Sequence, residues 1–295
     1  MQIIGLGELL WDVFSDGERL GGAPANVAYH AAALGDRGAI ASRVGRDARG
    51  DEAVRVLAAA GVDTSLVQRD DRRATGTAQV SGDGGEVSFV IDEEAAWTAP
   101  TWSEAWERAI AGCDALCFGS LAGATEAGRS VLTRAARAAA PSLRVLDLNL
   151  RPPLTSGGAV AAAMRSANVL KVSEDEAAVV SRELAGGDLV DWALSQGFRA
   201  LAITRGARGC ALYTPSGHAE HPGFEIDDGA GDPVGAGDAF TAALTHQLLR
   251  GNQPEEICRA AARYAAYVAS QRGAMPAIPD AIAAEVVGRG RGAAD

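Results

Sequence analysis

Six short apolar runs are spaced along the chain: Gln2–Leu6, Ala39–Val44, Ala115–Phe118, Arg144–Leu148, Asn168–Val172 and Ala200–Thr204. Each is too short for a helix and nearly continuous in apolar character, so each reads as a strand covered on both faces. Parallel strands of this kind need helical crossovers. The intervening stretches supply them, from Pro24 to about Leu34, Glu52–Ala60, Ser103–Ile110 and Glu126–Ala139. The fold class is therefore α/β, a mainly parallel central sheet with helices on both sides. One segment breaks the alternation. Thr75–Val80 and Glu86–Val90 flank the turn Ser81–Gly85 and read as a hairpin. Such an insertion forms a separate small sheet, so residues of about 10–22 and 74–93 are expected to make a lid. No repeat or linker divides residues 1–295, which read as one domain. A long helix is expected over Pro254–Gln271, a loop over Gly273–Pro279 and a disordered tail over Gly288–Gly292.

The stretch Gly231-Asp232-Pro233-Val234-Gly235-Ala236-Gly237-Asp238 runs into Phe240, Leu244 and Leu248 at helical spacing. A turn this bare leaves the first N–H groups of the helix uncovered and aims the positive end of its dipole at one spot. Phosphate is the usual occupant of such a place. Asp238 sets a carboxylate beside it, and the helix N-terminus is expected to keep that carboxylate ionised at neutral pH. Read as function, the amides hold a phosphoryl group and Asp238 accepts the proton of an attacking hydroxyl. Read as structure, Asp238 is an N-capping aspartate.

Other stretches offer the same choice. Leu20-Gly21-Gly22-Ala23-Pro24-Ala25-Asn26 lets backbone approach a ligand and presents an amide side chain, or it is a plain turn before a helix. Asp12 is either a turn residue or an acceptor for a sugar hydroxyl. Asp147-Leu148-Asn149-Leu150-Arg151-Pro152 lies at the carboxyl end of a strand, where ligands of open parallel sheets bind. Asn149 and Arg151 are candidates there, with an ordinary surface arginine as the alternative. Ser173 and Glu176 have capping-box spacing, with a carboxylate near metal and phosphate as the second reading.

The formal net charge of −11 and the lack of a basic stripe argue against nucleic acid as a partner. The N-terminal residues lack the basic start of a signal peptide, and no apolar run reaches the ~18 residues of a membrane span. Cys113, Cys117, Cys210 and Cys258 have no metal-ligand spacing and read as reduced core thiols of a cytoplasmic protein. Lys171 is the sole lysine and follows leucine, which excludes a Walker P-loop. Protein-kinase signatures are absent. Gly5-x-Gly7 is only a fragment of a dinucleotide fingerprint, since Leu10 stands at the third glycine.

Taken in order, Gly21–Asn26, Asp147–Pro152, Thr204-Arg205-Gly206 and Asp232–Asp238 resemble the motif set of the ribokinase family, the PfkB carbohydrate kinases. LGGAPANVA at Leu20–Ala28, FGSLA at Phe118–Ala122 and NLRPPL at Asn149–Leu154 make the chain most similar to the fructokinases, and the likeness runs to about Pro279. It implies a ribokinase-like three-layer αβα fold and ATP- and Mg²⁺-dependent phosphorylation of a hydroxymethyl group on a small sugar, fructose first. By that likeness Asp238 is the base, and Gly235, Ala236 and Gly237 complete the anion hole. Asp12, Gly21, Gly22, Asn26 and Arg151 contact the sugar. Thr204, Gly206 and Lys171 serve the nucleotide. Glu176 acts on Mg²⁺ indirectly, and Asp232 with backbone carbonyls is the expected K⁺ site. A homodimer through the lid is a further implication.

Three positions depart from the family pattern: Pro233 replaces a threonine, Ser173 an asparagine, and Ala277 a serine of the cation loop. Proline at 233 precedes the anion-hole donors and is expected to leave them intact. The same family supplies the competing activities, namely 2-keto-3-deoxygluconate kinase, ribokinase and nucleoside kinase. The alternative outside the enzymes is a sugar-binding regulator, opposed by the retention of Asp238 and the motif glycines.

Overall fold

The computed structural model describes residues 1–81, 88–182, 186–225 and 231–288. Residues 82–85 of the expected hairpin turn and 289–292 of the expected tail lie outside those ranges. Among the described residues, the larger of two sheets is built from β1 (Gln2–Leu6), β4 (Arg37–Gly45), β5 (Val67–Asp70), β8 (Ala115–Gly119), β9 (Leu143–Asp147), β10 (Val169–Ser173), β11 (Ala200–Thr204), β12 (Cys210–Thr214) and β13 (Gly217–His221). Their spatial order is β13-β12-β11-β10-β9-β8-β1-β4-β5. All neighbours are parallel except β11–β12 and β12–β13. The smaller sheet holds β2 (Leu10–Phe14), β3 (Gly17–Gly21), β6 (Gly76–Ser81) and β7 (Ser88–Ile91), in the order β3-β2-β6-β7. The insertion thus pairs with the segment after β1, as expected.

Side-chain alternation makes the three layers. Ile3, Cys117 and Val145 point into one core, whereas their neighbours Ile4, Leu116 and Leu146 point into the other. The first core is closed by α1 (Ala23–Ala33), α8 (Ala236–Leu249), α9 (Pro254–Ala269) and α10 (Asp280–Val287). The second is closed by α3 (Glu104–Ala111), α4 (Glu126–Ala138), α5 (Gly157–Ser166), α6 (Glu174–Val180) and α7 (Leu189–Ser195). Helix α2 (Ala48–Ala59) covers the β4 edge through Ala53 and Leu57. It starts four residues before the expected Glu52, because the Asp47 side chain accepts the Gly50 N–H and caps it.

From β1 the chain winds outward to β4 and β5 on one side and through β8 to β11 on the other. That reversal opens a crevice at the carboxyl ends of the strands, the binding place of doubly wound sheets. Helix α8 lies beneath it with every residue from Asp238 to Gln247 buried. Its far end is anchored by buried Asp36, whose Oδ2 lies 2.7 Å from His246 Nδ1 and whose Oδ1 accepts from Arg250 Nη2 at 3.1 Å. The four cysteines are free and buried. No helix of the described residues is long and apolar enough to cross a membrane.

Candidate active site

Gly235 is the N-cap of α8, with φ +80°, and it carries no side-chain cap. A Cβ there would stand 2.5 Å from Ala274 Cα, so both the backbone angle and the close approach demand glycine. The carboxylate of Asp232 braces this turn, accepting the Val234 and Gly273 N–H groups, each at 3.1 Å. Among the described residues no acceptor takes the N–H of Gly235, Gly237 or Asp238. The Ala236 N–H donates to Pro233 O at 3.3 Å, so Ala236 contributes less to an anion hole than its place in the motif implies. Asp238 is not a cap. It lies inside the first helical turn, 9% exposed, and accepts from Asn26 Nδ2 at 2.6 Å.

Two cavities meet at this turn. One, of about 230 Å³, is walled by Glu8, Asp12, Gly22 and Asn26 from the β1–α1 region, Asp147 at the end of β9 with Asn149 and Arg151 beyond it, and Lys171, Gly235 and Asp238. The other, of about 360 Å³, is mainly apolar and includes Thr204, Gly206, Phe240, Ala262 and Ala266. Pro233 and Gly237 line both. Of the residues expected to contact sugar, all but Gly21 line the first cavity, and Gly21 has a different task. A Cβ on it would sit 2.1 Å from Asp12 Oδ2, so the missing side chain makes room for that carboxylate. Thr204 and Gly206, expected to serve the nucleotide, line the second cavity. Lys171 stands in the wall of the first instead, directly under the turn; a Cβ on Gly237 would be 3.2 Å from its Nζ.

Charge in the first cavity is concentrated and desolvated. Burial pushes Asp238 up to about 7, helped by the negative charge of Asp147 and opposed by the Asn26 hydrogen bond, Lys171 and Arg151. Asp238, expected to stay ionised at neutral pH, holds its proton more tightly than that, because loss of water outweighs the helix N-terminus. Burial likewise raises Glu8 to about 7, and Asp12 to about 6 against the pull of Arg151. Buried Lys171 donates to both oxygens of Asp147 at 3.0 and 3.1 Å, and Thr241 Oγ1 donates to Asp147 Oδ2 at 2.8 Å. Burial works against the ammonium, but Asp147, Glu176 and Asp238 together hold its pKa above the ordinary lysine value.

Glu176 forms the expected capping box with Ser173. Its Oε1 also accepts the Leu150 N–H at 2.7 Å and its Oε2 the Ser173 N–H at 2.8 Å. It therefore ties α6 to the loop carrying Asn149 and Arg151. Among the described residues no group of three or more His, Cys, Asp or Glu side chains is arranged to hold a metal ion.

Reasoning from sequence did not single out Glu8, Asp147 or Thr241. Asp147 had a usable signal: it and Lys171 are register neighbours on adjacent buried strands, where opposite charges pair. Glu8 had a weaker one, a carboxylate directly after the first strand.

An amide-lined turn between two cavities, with a buried carboxylate in the wall of one of them, is the layout of a phosphotransferase. Comparison with known proteins agrees. The pfkB family carbohydrate kinase model matches residues 4–281, and the chain belongs to that family. The Fructokinase-2 of Zea mays is 28% identical over 96% of this chain and 92% of its own length. That of Oryza sativa subsp. japonica is 30% identical over 91% and 85%. Among solved structures, the Xylella fastidiosa fructokinase with bound ATP superposes with a TM-score of 0.85 at 25% identity, covering 97% of this chain and 98% of that one. The Vibrio cholerae O395 fructokinase, solved with fructose, ADP and calcium, gives 0.80 at 25% identity, covering 97% and 99%.

Proposed function

We propose that this carbohydrate kinase transfers the γ-phosphoryl group of ATP to a hydroxymethyl group of a small sugar, with fructose as the favoured substrate. The observation that carries the reading is the position of Asp238, in the wall of the first cavity next to Gly237, which lines both, and beside three N–H groups that no described residue accepts. The sugar occupies the polar cavity, and the nucleotide occupies the apolar one with Thr204 and Gly206. The amides of Gly235, Gly237 and Asp238 receive the phosphoryl oxygens, and Lys171 beneath Gly237 adds positive charge at that point. Asp12, Asn26 and Arg151 hold the sugar, while Asp238 orients the hydroxyl and accepts its proton. Mg²⁺ screens the phosphate charge when bound, and Glu176 acts on it at one remove. Closure of the small sheet, which carries Asp12, over the sugar excludes water. Names borne by the relatives support fructose, and the two solved neighbours, one with bound ATP and one with fructose and ADP, support a sugar and a nucleotide as the two ligands. The whole chain is read as one catalytic unit working in the cytoplasm. K⁺ activation through Asp232 and a homodimer through the small sheet complete the proposal, on family likeness alone.

A coupled ADP-release assay across fructose, ribose, 2-keto-3-deoxygluconate and nucleosides, with and without K⁺, tests this reading. Fructose is expected to give the highest kcat/KM, by about 10-fold or more over the other sugars. If none of the compounds releases ADP beyond the sugar-free rate, the kinase reading fails in favour of a sugar-binding regulator.

A further inference from the structure

One buried carboxyl in the first cavity has no place in that scheme. Glu8 is 3% exposed. Its Oε1 accepts the N–H of Ala23, the first residue of α1, at 3.1 Å, and so substitutes for the cap that Gly22 lacks. Its Oε2 is buried and has no hydrogen-bond partner. The residue is also held firmly, since a Cβ on Gly22 would lie 2.4 Å from the Glu8 carbonyl oxygen. A buried polar atom without a partner is costly, and native proteins retain one where a ligand completes it. Glu8 lines the same cavity as Asp238 and Arg151, and the charges of both act on it. Asn26 Oδ1 is the other orphan oxygen lining this cavity, its amide nitrogen being taken by Asp238. Asp238, not Glu8, belongs to the turn with the free amides, so the reacting hydroxyl is assigned to Asp238 and Glu8 is left for another hydroxyl.

We propose that Glu8 is a sugar-recognition residue: its Oε2 pairs with a substrate hydroxyl other than the one phosphorylated, and it selects against sugars lacking that hydroxyl. This rests on the kinase reading above. A carboxyl serves better than an amide or a hydroxyl here because one oxygen can cap α1 while the second, fixed by the first, faces the sugar. Deleting the matching hydroxyl leaves Oε2 desolvated and unpaired in the complex, which makes the discrimination sharp.

The test compares wild type, Glu8→Gln and Glu8→Leu on the best sugar and on its monodeoxy analogues. Both kcat/KM and calorimetric sugar binding are measured, with melting temperature and ATP affinity as controls. One analogue is expected to fall about 10²-fold below the parent with wild type. Glu8→Leu should lose a similar factor on the parent, mostly through KM, yet be unchanged on that one analogue. Glu8→Gln, which keeps the Ala23 acceptor and a polar second atom, should recover to within about 10-fold of wild type and serves if the leucine variant fails to fold. If every analogue loses affinity in parallel with the parent, Glu8 acts only through α1 and the proposal is overturned. If the parent is unaffected, it is overturned as well. Turnover by wild type, with no coupling at Glu8, would sink this inference alone. Sugar binding that shows the coupling without turnover would uphold Glu8 and sink the kinase.

Discussion

Asp238→Asn is expected to lower kcat by about 10³-fold, with ATP affinity unchanged to within about 2-fold. The amide keeps the volume of the carboxyl and can still meet Asn26, so the cavity and the free N–H groups of the turn stay in place. What disappears is the acceptor proposed for the hydroxyl proton. The same substitution should stabilise the protein at alkaline pH. Asp238 is raised from 3.8 to about 7 by burial and by the charge of Asp147. Between those values the folded chain binds more protons at this position than the unfolded chain does. Stability therefore falls as pH rises through the window, and the full penalty is present above about 7. A neutral asparagine has no such penalty, so the variant should melt higher than wild type at pH 8 and close to it at pH 4. Greater stability joined to lost turnover is the signature of a strained functional carboxylate. A variant with most of its activity left, or one that melts lower at pH 8, would contradict this role.

Lys171→Met is expected to damage both the fold and the reaction. The methionine fills much of the space but leaves the Asp147 carboxylate buried with only the Thr241 hydroxyl to satisfy it. Removing one partner of a buried pair costs about 3–5 kcal/mol, which corresponds here to a melting point lower by roughly 10 °C. Turnover should fall as well, because the positive charge under Gly237 is lost. The pair Lys171→Met/Asp147→Asn separates the two effects: the amide accepts from Thr241 without a charge, so most of the stability should return. Activity should not. If turnover recovers together with the melting temperature, Lys171 only supports the sheet and has no part near the phosphoryl group.

The layers were legible in the sequence because strands covered on both faces need apolar residues at every position. Runs such as Gln2–Leu6 and Ala200–Thr204 emerge with the same limits in the structure. The small sheet was legible for the opposite reason, as a hairpin pattern where a crossover helix belonged. Helices α5, α7 and α10 were not. Gly157–Ser166 opens on two glycines and is alanine-rich, so it presents little periodicity. Asp280–Val287 follows a loop with two prolines that hides its start. In the site, glycine spacing marked the turn, since only bare backbone can offer free N–H groups at a helix start. The environment of Asp238 was hidden because desolvation depends on Asn26, Asp147 and Lys171, which lie far from it in the chain. Glu8 was hidden too: a glutamate after a strand is ordinary until its second oxygen proves buried and unpaired.

Proton-coupled ³¹P NMR of the product formed from fructose and ATP asks most directly whether this pocket phosphorylates a hydroxymethyl group. Wild type should give a new monoester resonance split by the two protons of an adjacent CH₂, which the Asp238→Asn protein fails to produce in the same time. Inorganic phosphate alone, a resonance split by one proton, or an equal yield from the variant would contradict phosphoryl transfer to a primary hydroxyl by way of Asp238.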